Sequence, residues 1–244
     1  MSEIALRPRS GTELLDAAFQ LLRDNFKLFF LVALGAFVPI IIIEVAVAAD
    51  PTGMTGLLNM LVSLVFEPLA TAAIIVVASE RYMGRDVTPG EALGRVWARI
   101  GTVVATAIIF NIFVAVGLIL LIVPGIYLAT RFFAMMPAVV IEGYDSSTSQ
   151  KRSTQLTEGS RMRIFGLFVV SYLIFFILLA MAMGIGVGIF GEVTGVVVAR
   201  ILMAAIYPFI GIVTTLLYYD LRIRNEGLDL DIMMAQESAR PATA

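Results

Sequence analysis

Six long apolar runs, each parted from the next by a short polar or turn-forming stretch, constrain this chain more than anything else in it. They lie at Leu28 to Ala49, about Leu57 to Ser79, Ile100 to Val123, Ile126 to Ile141, Ile164 to Gly186 and about Val196 to Tyr219. A helix needs about 20 apolar residues to cross about 30 Å of hydrocarbon, where only helices and closed barrels satisfy their own backbone. Five runs are long enough. The fourth, 16 residues, must borrow from its ends or sit where the bilayer thins. Pro124-Gly125 is the expected break between the third and fourth runs, because Pro removes an intrahelical bond and Gly tolerates the turn. The sequence therefore predicts an all-α polytopic membrane protein: six transmembrane helices as three hairpins, in one domain over residues 1–227, with a disordered cytoplasmic tail over 228–244.

Composition narrows the function classes. The chain is 59% hydrophobic and 15% charged, against about 45–50% and about 25% in soluble domains. A net charge of -2 gives no hint of nucleic acid as a partner. With no Cys and no His, the sequence lacks the thiol, the commonest metal ligand and the usual general base near neutral pH, so no metal, cofactor or catalytic residue is expected. The 27-residue leader, which carries Glu3, Glu13, Asp16 and Asp24, is unlike the short basic start of a signal peptide, and no cleaved signal is read, although Ala46-Val47-Ala48 loosely fits a cleavage site.

Basic residues set an expected orientation. Arg7, Arg9, Arg23 and Lys27 precede the first run; Arg81, Arg85, Arg95 and Arg99 lie between the second and third; Lys151, Arg152, Arg161 and Arg163 lie between the fourth and fifth; Arg222, Arg224 and Arg240 follow the sixth. The other three connections contain no Lys or Arg. Both termini are then cytoplasmic and the chain belongs in the cell membrane.

The same segments carry a weak repeat. Thr12 to Asn25, Thr88 to Ile100 and Ser147 to Gly159 each lead into a pair of apolar runs, and the second run of each pair holds one proline: Pro68, Pro137 and Pro208, 69 and 71 residues apart. Three parallel hairpins with a repeat axis along the membrane normal would follow. Thr12 to Lys27 reads as an amphipathic helix with Thr12 as N-cap and Leu14, Leu15, Ala18, Phe19, Leu22 and Phe26 on its apolar face. It either lies in the interface plane or simply begins the first span.

Four charged residues fall inside the runs: Glu44, Glu67, Arg131 and Arg200. Counted from the extracytoplasmic end, three lie about 8 to 9 Å deep and Glu67 about 15 Å. An isolated charge at depth costs at least about 2.5 to 3.5 kcal/mol, so mutual pairing is expected. They form either a structural cluster tying four helices together or a polar cavity for an anionic or zwitterionic solute or a lipid headgroup. Pro68 places Glu67 beside an interrupted helix ladder. Asn111 can bond across helices, and Gly184, Gly188, Gly191 and Gly195 have small-xxx-small spacing. The sixteen Phe form no aromatic box by spacing. At the cytoplasmic rim, Tyr218-Tyr219 followed by Asp220, Arg222 and Arg224 reads as an interfacial anchor, and with Arg152 these basic residues can meet anionic headgroups or a partner.

Several stretches carry a family resemblance: Val123-Pro124-Gly125-Ile126-Tyr127-Leu128-Ala129 with Arg131, then Pro137, Glu142-Gly143, Lys151-Arg152-Ser153, Leu156-Thr157 and Gly159, and at the end Tyr218-Tyr219-Asp220-Leu221-Arg222. Together with the leader Leu6-Arg7-Pro8-Arg9-Ser10-Gly11, they resemble the family named after the membrane domain of glycerophosphoryl diester phosphodiesterase. The sequence departs from that pattern at Thr154, where Trp is frequent, and at Gln150, where a small residue is usual. The resemblance implies a membrane region that, in some members, adjoins a soluble phosphodiesterase domain bearing a catalytic His. With no His in this sequence, the enzyme activity does not carry over. The expectation is a non-enzymatic, membrane-embedded interaction or lipid-organising module in contact with the bilayer, alone or as a homo-oligomer; the alternative is a small-solute or lipid transporter or channel using Glu67, Arg131 and Arg200.

Overall fold

A computed structural model describes residues 7–49, 53–230 and 234. Eleven helices and no strand are found among the described residues: α1 (Gly11–Asp24), α2 (Phe26–Ala49), α3 (Gly53–Tyr82), α4 (Pro89–Trp97), α5 (Ile100–Leu120), α6 (Ile122–Phe132), α7 (Met135–Ile141), α8 (Ser146–Leu156), α9 (Arg161–Phe190), α10 (Glu192–Ile206) and α11 (Pro208–Glu226). Six stretches are long and apolar enough to cross a membrane: Phe26–Ala46, Gly56–Tyr82, Ile100–Leu120, Ile122–Ile141, Arg161–Phe190 and Val197–Glu226. The short fourth run gains its missing length at its N-terminal end.

Three units follow one plan. Each opens with a short helix whose first turn is capped by a side chain. Ser10 and Glu13 form a reciprocal capping box at α1, Thr88 and Glu91 do the same at α4, and the Asp145 carboxylate accepts the Thr148 N–H at 2.9 Å at α8. An apolar hairpin then follows, and its second arm carries the proline. Pro68 lies inside α3, Pro137 sits just after the α6/α7 break, and Pro208 opens α11 after the α10/α11 break. A proline ring cannot keep the bond to the preceding turn, which is why two of the three arms divide there. Each second arm stops at a glycine with positive φ: Gly84, Gly143 and Gly227.

The units close into a ring. α4 packs on α3 and α8 on α7, so each short helix lies against the arm that precedes it, and α1 packs on α11 to join the last unit to the first. Leu14, Ala18 and Leu21 bury the inner face of α1, while Phe19 (60% exposed) and Phe26 (47%) form an open apolar edge facing outward, suited to a membrane interface. Asn25 (φ -120, ψ 26) breaks the chain between α1 and α2, so α1 is a separate helix and not the start of the first span.

Several sequence expectations need correction. The α1 cap is Ser10, two residues before Thr12, because only Ser10 has Glu13 at the reciprocal position. The second hairpin turns at Leu121 (φ -172, ψ 159), and Pro124-Gly125 lies inside the first turn of α6, where a proline loses no helical bond. Gly125 serves close packing: a Cβ there would come within 2.4 Å of Leu118 Cδ2, and one on Gly117 within 2.8 Å of the Gly125 backbone. In the third hairpin the contact is Gly186 against Gly195, whereas Gly184, Gly188 and Gly191 have open space around them. Residues 228–230 are helical, and most of the predicted tail, with Arg240, lies outside the described residues, as do residues 50–52.

Candidate functional site

Three of the four charges inside the spans meet in one corner. Arg200 on α10 grips Glu44 on α2 with both ends of its guanidinium, Nε lying 3.1 Å from Oε2. Glu67 on α3 stands 3.9 Å from Arg200 Nη1, and the Phe37 ring lies 5.5 Å from the guanidinium carbon. Arg131 does not join them. Its Nε is 3.3 Å from the Thr154 hydroxyl of α8 and its guanidinium lies 5.4 Å from the Phe132 ring. Depth along a helix says nothing of direction, and α6 packs on α5, α8 and α9, away from the α2–α3–α10 corner. Thr154 is the residue that meets this arginine.

Beside the corner is a cavity of about 550 Å³, bounded by α3, the α5–α6 hairpin, α9 and α11. Its polar points are few: Glu67 and Thr71 on α3, Thr106 and Asn111 on α5, Thr130 on α6, Tyr172 on α9, Tyr207 at the α10/α11 break and Thr214 on α11. The rest of the lining is aliphatic or aromatic, the pattern of a site for a largely apolar molecule with one oriented polar end. Among the described residues of its lining, Glu67 alone is charged, and it is half exposed, at 48%. The Thr71 hydroxyl lies 3.1 Å from the Glu67 carbonyl and 2.7 Å from the Tyr207 hydroxyl, which fixes this end of the wall. Asn111 bonds its own helix, donating to the Ala107 carbonyl at 2.9 Å, and does not reach across to another.

Aromatic residues that show no pattern in sequence come together along this wall. Phe133 meets Phe168, Phe168 meets Tyr172, Tyr172 meets Phe175, and Tyr207 bridges Phe175 and Phe37, with centroids 5.1 to 6.4 Å apart. These rings come from α2, α9, the α6/α7 break and the α10/α11 break, so spacing along the chain could not find them.

The rim arginines are held inside the protein. Arg152 donates to Glu142 (2.9 Å) and Glu226 (2.8 Å), and Arg222 lies 3.2 Å from Glu226 and 3.7 Å from Glu142. The Glu226 hydrogen bond, then the one from Glu142, hold the Arg152 guanidinium above its ordinary range against the opposing pull of burial. Asp220 is 2% exposed and accepts from the Arg9 N–H (2.7 Å), Arg163 (2.7 Å) and Arg224 (2.9 Å). Tyr218 and Tyr219 are buried as well, so this segment is the packed base of the bundle and not an interfacial anchor. Glu142, Glu226 and Arg163 complete these clusters, and Glu80 pairs with Arg85 and Arg95 nearby; none of the four stands among the site residues that the sequence singles out. The available signal was the acid placed just before a glycine at Glu142-Gly143 and Glu226-Gly227.

No group of three or more metal-ligating side chains occurs among the described residues. Comparison of the chain with protein-family models, with curated proteins and with solved structures finds no match.

Proposed function

We propose that this is a non-enzymatic, multi-pass protein of the cell membrane, with both termini cytoplasmic, that takes an amphiphile from the bilayer into the cavity beside Glu67 and carries or presents it there. The supporting observation is the cavity itself: about 550 Å³ within the apolar part of the bundle, walled by aromatic residues, with a carboxylate at one end. Its size suits a small lipid or a lipid-like solute. The alternative of a lipid-organising surface built on the rim arginines has less behind it, because Arg152 and Arg222 are committed to Glu142 and Glu226. The resemblance to the phosphodiesterase membrane-domain family agrees with a membrane role and adds no substrate.

The test is photolabelling in membranes with a dodecyl chain bearing a diazirine, followed by mapping of the modified peptides. Labels are expected on cavity residues such as Ala129, Phe168 and Tyr172, and are expected to fall at least fivefold when Ala129→Trp fills the space. Labels confined to the outward faces, such as Leu173 (61% exposed) and Phe176 (58%), would show that the chain meets the cavity no more than any membrane protein meets its lipid.

A further inference from the structure

We infer that the cavity selects amphiphiles with a positively charged headgroup, and that Glu67 is the group that reads the charge. This deepens the cavity reading and rests on it. A charge cluster of two acids and two arginines would be neutral and could hold an anionic or zwitterionic solute. The structure leaves Arg131 with Thr154 of α8, outside the lining, so the corner beside the cavity holds two carboxylates around one guanidinium. Glu44 takes both ends of that guanidinium, whereas Glu67 keeps only a 3.9 Å approach to Nη1 and is half exposed. With both carboxylates ionised, one negative charge is in excess in the apolar part of the bundle, on the carboxylate that lines the cavity.

An uncompensated charge at that depth is costly, and an arriving cation relieves the cost where an anion adds to it. The walls have the same preference. Tyr172 and Tyr207 line the cavity, with Phe175 and Phe168 beside them, and the negative faces of such rings attract a cation and give nothing to an anion. No Lys or Arg lines the space to attract a phosphate or carboxylate. The ligand class that fits is a lipophilic cation: an alkyl chain or aromatic body ending in an ammonium or quaternary ammonium group.

The experiment compares dodecyl diazirine probes that differ only in headgroup, trimethylammonium, sulfate or neutral hydroxyl, on the full-length protein in neutral liposomes. Cavity labelling by the trimethylammonium probe is expected to exceed that by the sulfate probe by roughly tenfold, about the ratio one partly solvated ion pair supplies. Glu67→Gln is expected to bring the two within about twofold. Glu44→Gln also removes one charge from the corner and leaves Arg200 to Glu67, so it too is expected to reduce the preference. It supplies an independent arm if Glu67→Gln does not fold. Equal cavity labelling by both charged probes, or a preference that survives in both variants, overturns the inference while leaving the cavity reading intact. Absence of cavity labelling by all three probes overturns the cavity reading itself.

Discussion

At the scale of single residues, the capping box of α1 can be read by titration. The Glu13 carboxylate accepts the Ser10 N–H at 2.7 Å and an Arg7 guanidinium N–H at 2.6 Å. The Ser10 N–H first, then Arg7, hold its pKa down from the ordinary 4.5 to about 2. A lowered pKa means that the cap's contribution is complete above 4.5 and is lost as pH falls through about 2, because only the ionised form accepts both donors. Carboxyl carbon NMR on selectively labelled protein is expected to place the Glu13 midpoint near 2, and in Ser10→Ala, which removes the hydroxyl half of the box, the midpoint is expected to rise. An unchanged midpoint in that variant would mean that the Ser10 N–H and Arg7 set it without the hydroxyl. The sequence showed an amphipathic helix here but put the cap at Thr12, because both residues are good caps and only the position of Glu13 separates them.

At the scale of elements, the second and third hairpins end differently. The third turns through Gly191 and Thr194, but the second turns through Ile119, Leu120, Leu121, Ile122 and Val123, which are 68–84% exposed and entirely aliphatic. One residue, Leu121, joins the helices; its N–H bonds the Gly117 carbonyl, and Pro124 brings no N–H of its own to satisfy. So much apolar surface suits an apex that stays against the bilayer rather than in open water. Because the chain has no Cys, single cysteines can be introduced without background. Leu121→Cys is expected to resist a membrane-impermeant maleimide from either side until detergent is added, while Thr194→Cys reacts in intact vesicles; equal reaction of both would place the two apices in water together. Close packing below the apex sets a further limit. Gly125→Ala puts a Cβ against the Leu118 side chain and backbone, and is expected to cost about 1–3 kcal/mol in thermal or denaturant unfolding. The existence of the hairpins was legible from hydropathy, since length and apolarity alone decide it. Their turns were not, because Pro124-Gly125 reads equally well as a loop or as the tight first turn of a helix.

At the scale of the whole molecule, what sequence periodicity could only hint at is how the ring closes. Prolines spaced by 69 and 71 residues announce three units, but nothing in a linear repeat says that the first unit folds back on the last. The closure is carried by Asp220 of α11, which accepts the backbone N–H of Arg9 and clasps Arg163 at the start of α9, while Arg224 and Arg163 both donate to the Arg9 carbonyl. Glu80 holds the first unit to the second through Arg95, but here the arginine is 54% exposed and water competes for it. Asp220→Asn removes the only carboxylate among these arginines while keeping the shape of the side chain. It is expected to cost about 2 kcal/mol, below the roughly 3–5 kcal/mol of fully buried pairs because the arginines are partly exposed. Glu80→Gln is expected to cost less than about 1 kcal/mol. Limited proteolysis should separate the two variants: with the ring opened at Asp220, the bond before α1 becomes cleavable in protein whose spans remain folded. Cleavage there that does not change with Asp220→Asn would mean that Leu14, Ala18 and Leu21 hold α1 in place and the ion cluster only decorates the seam.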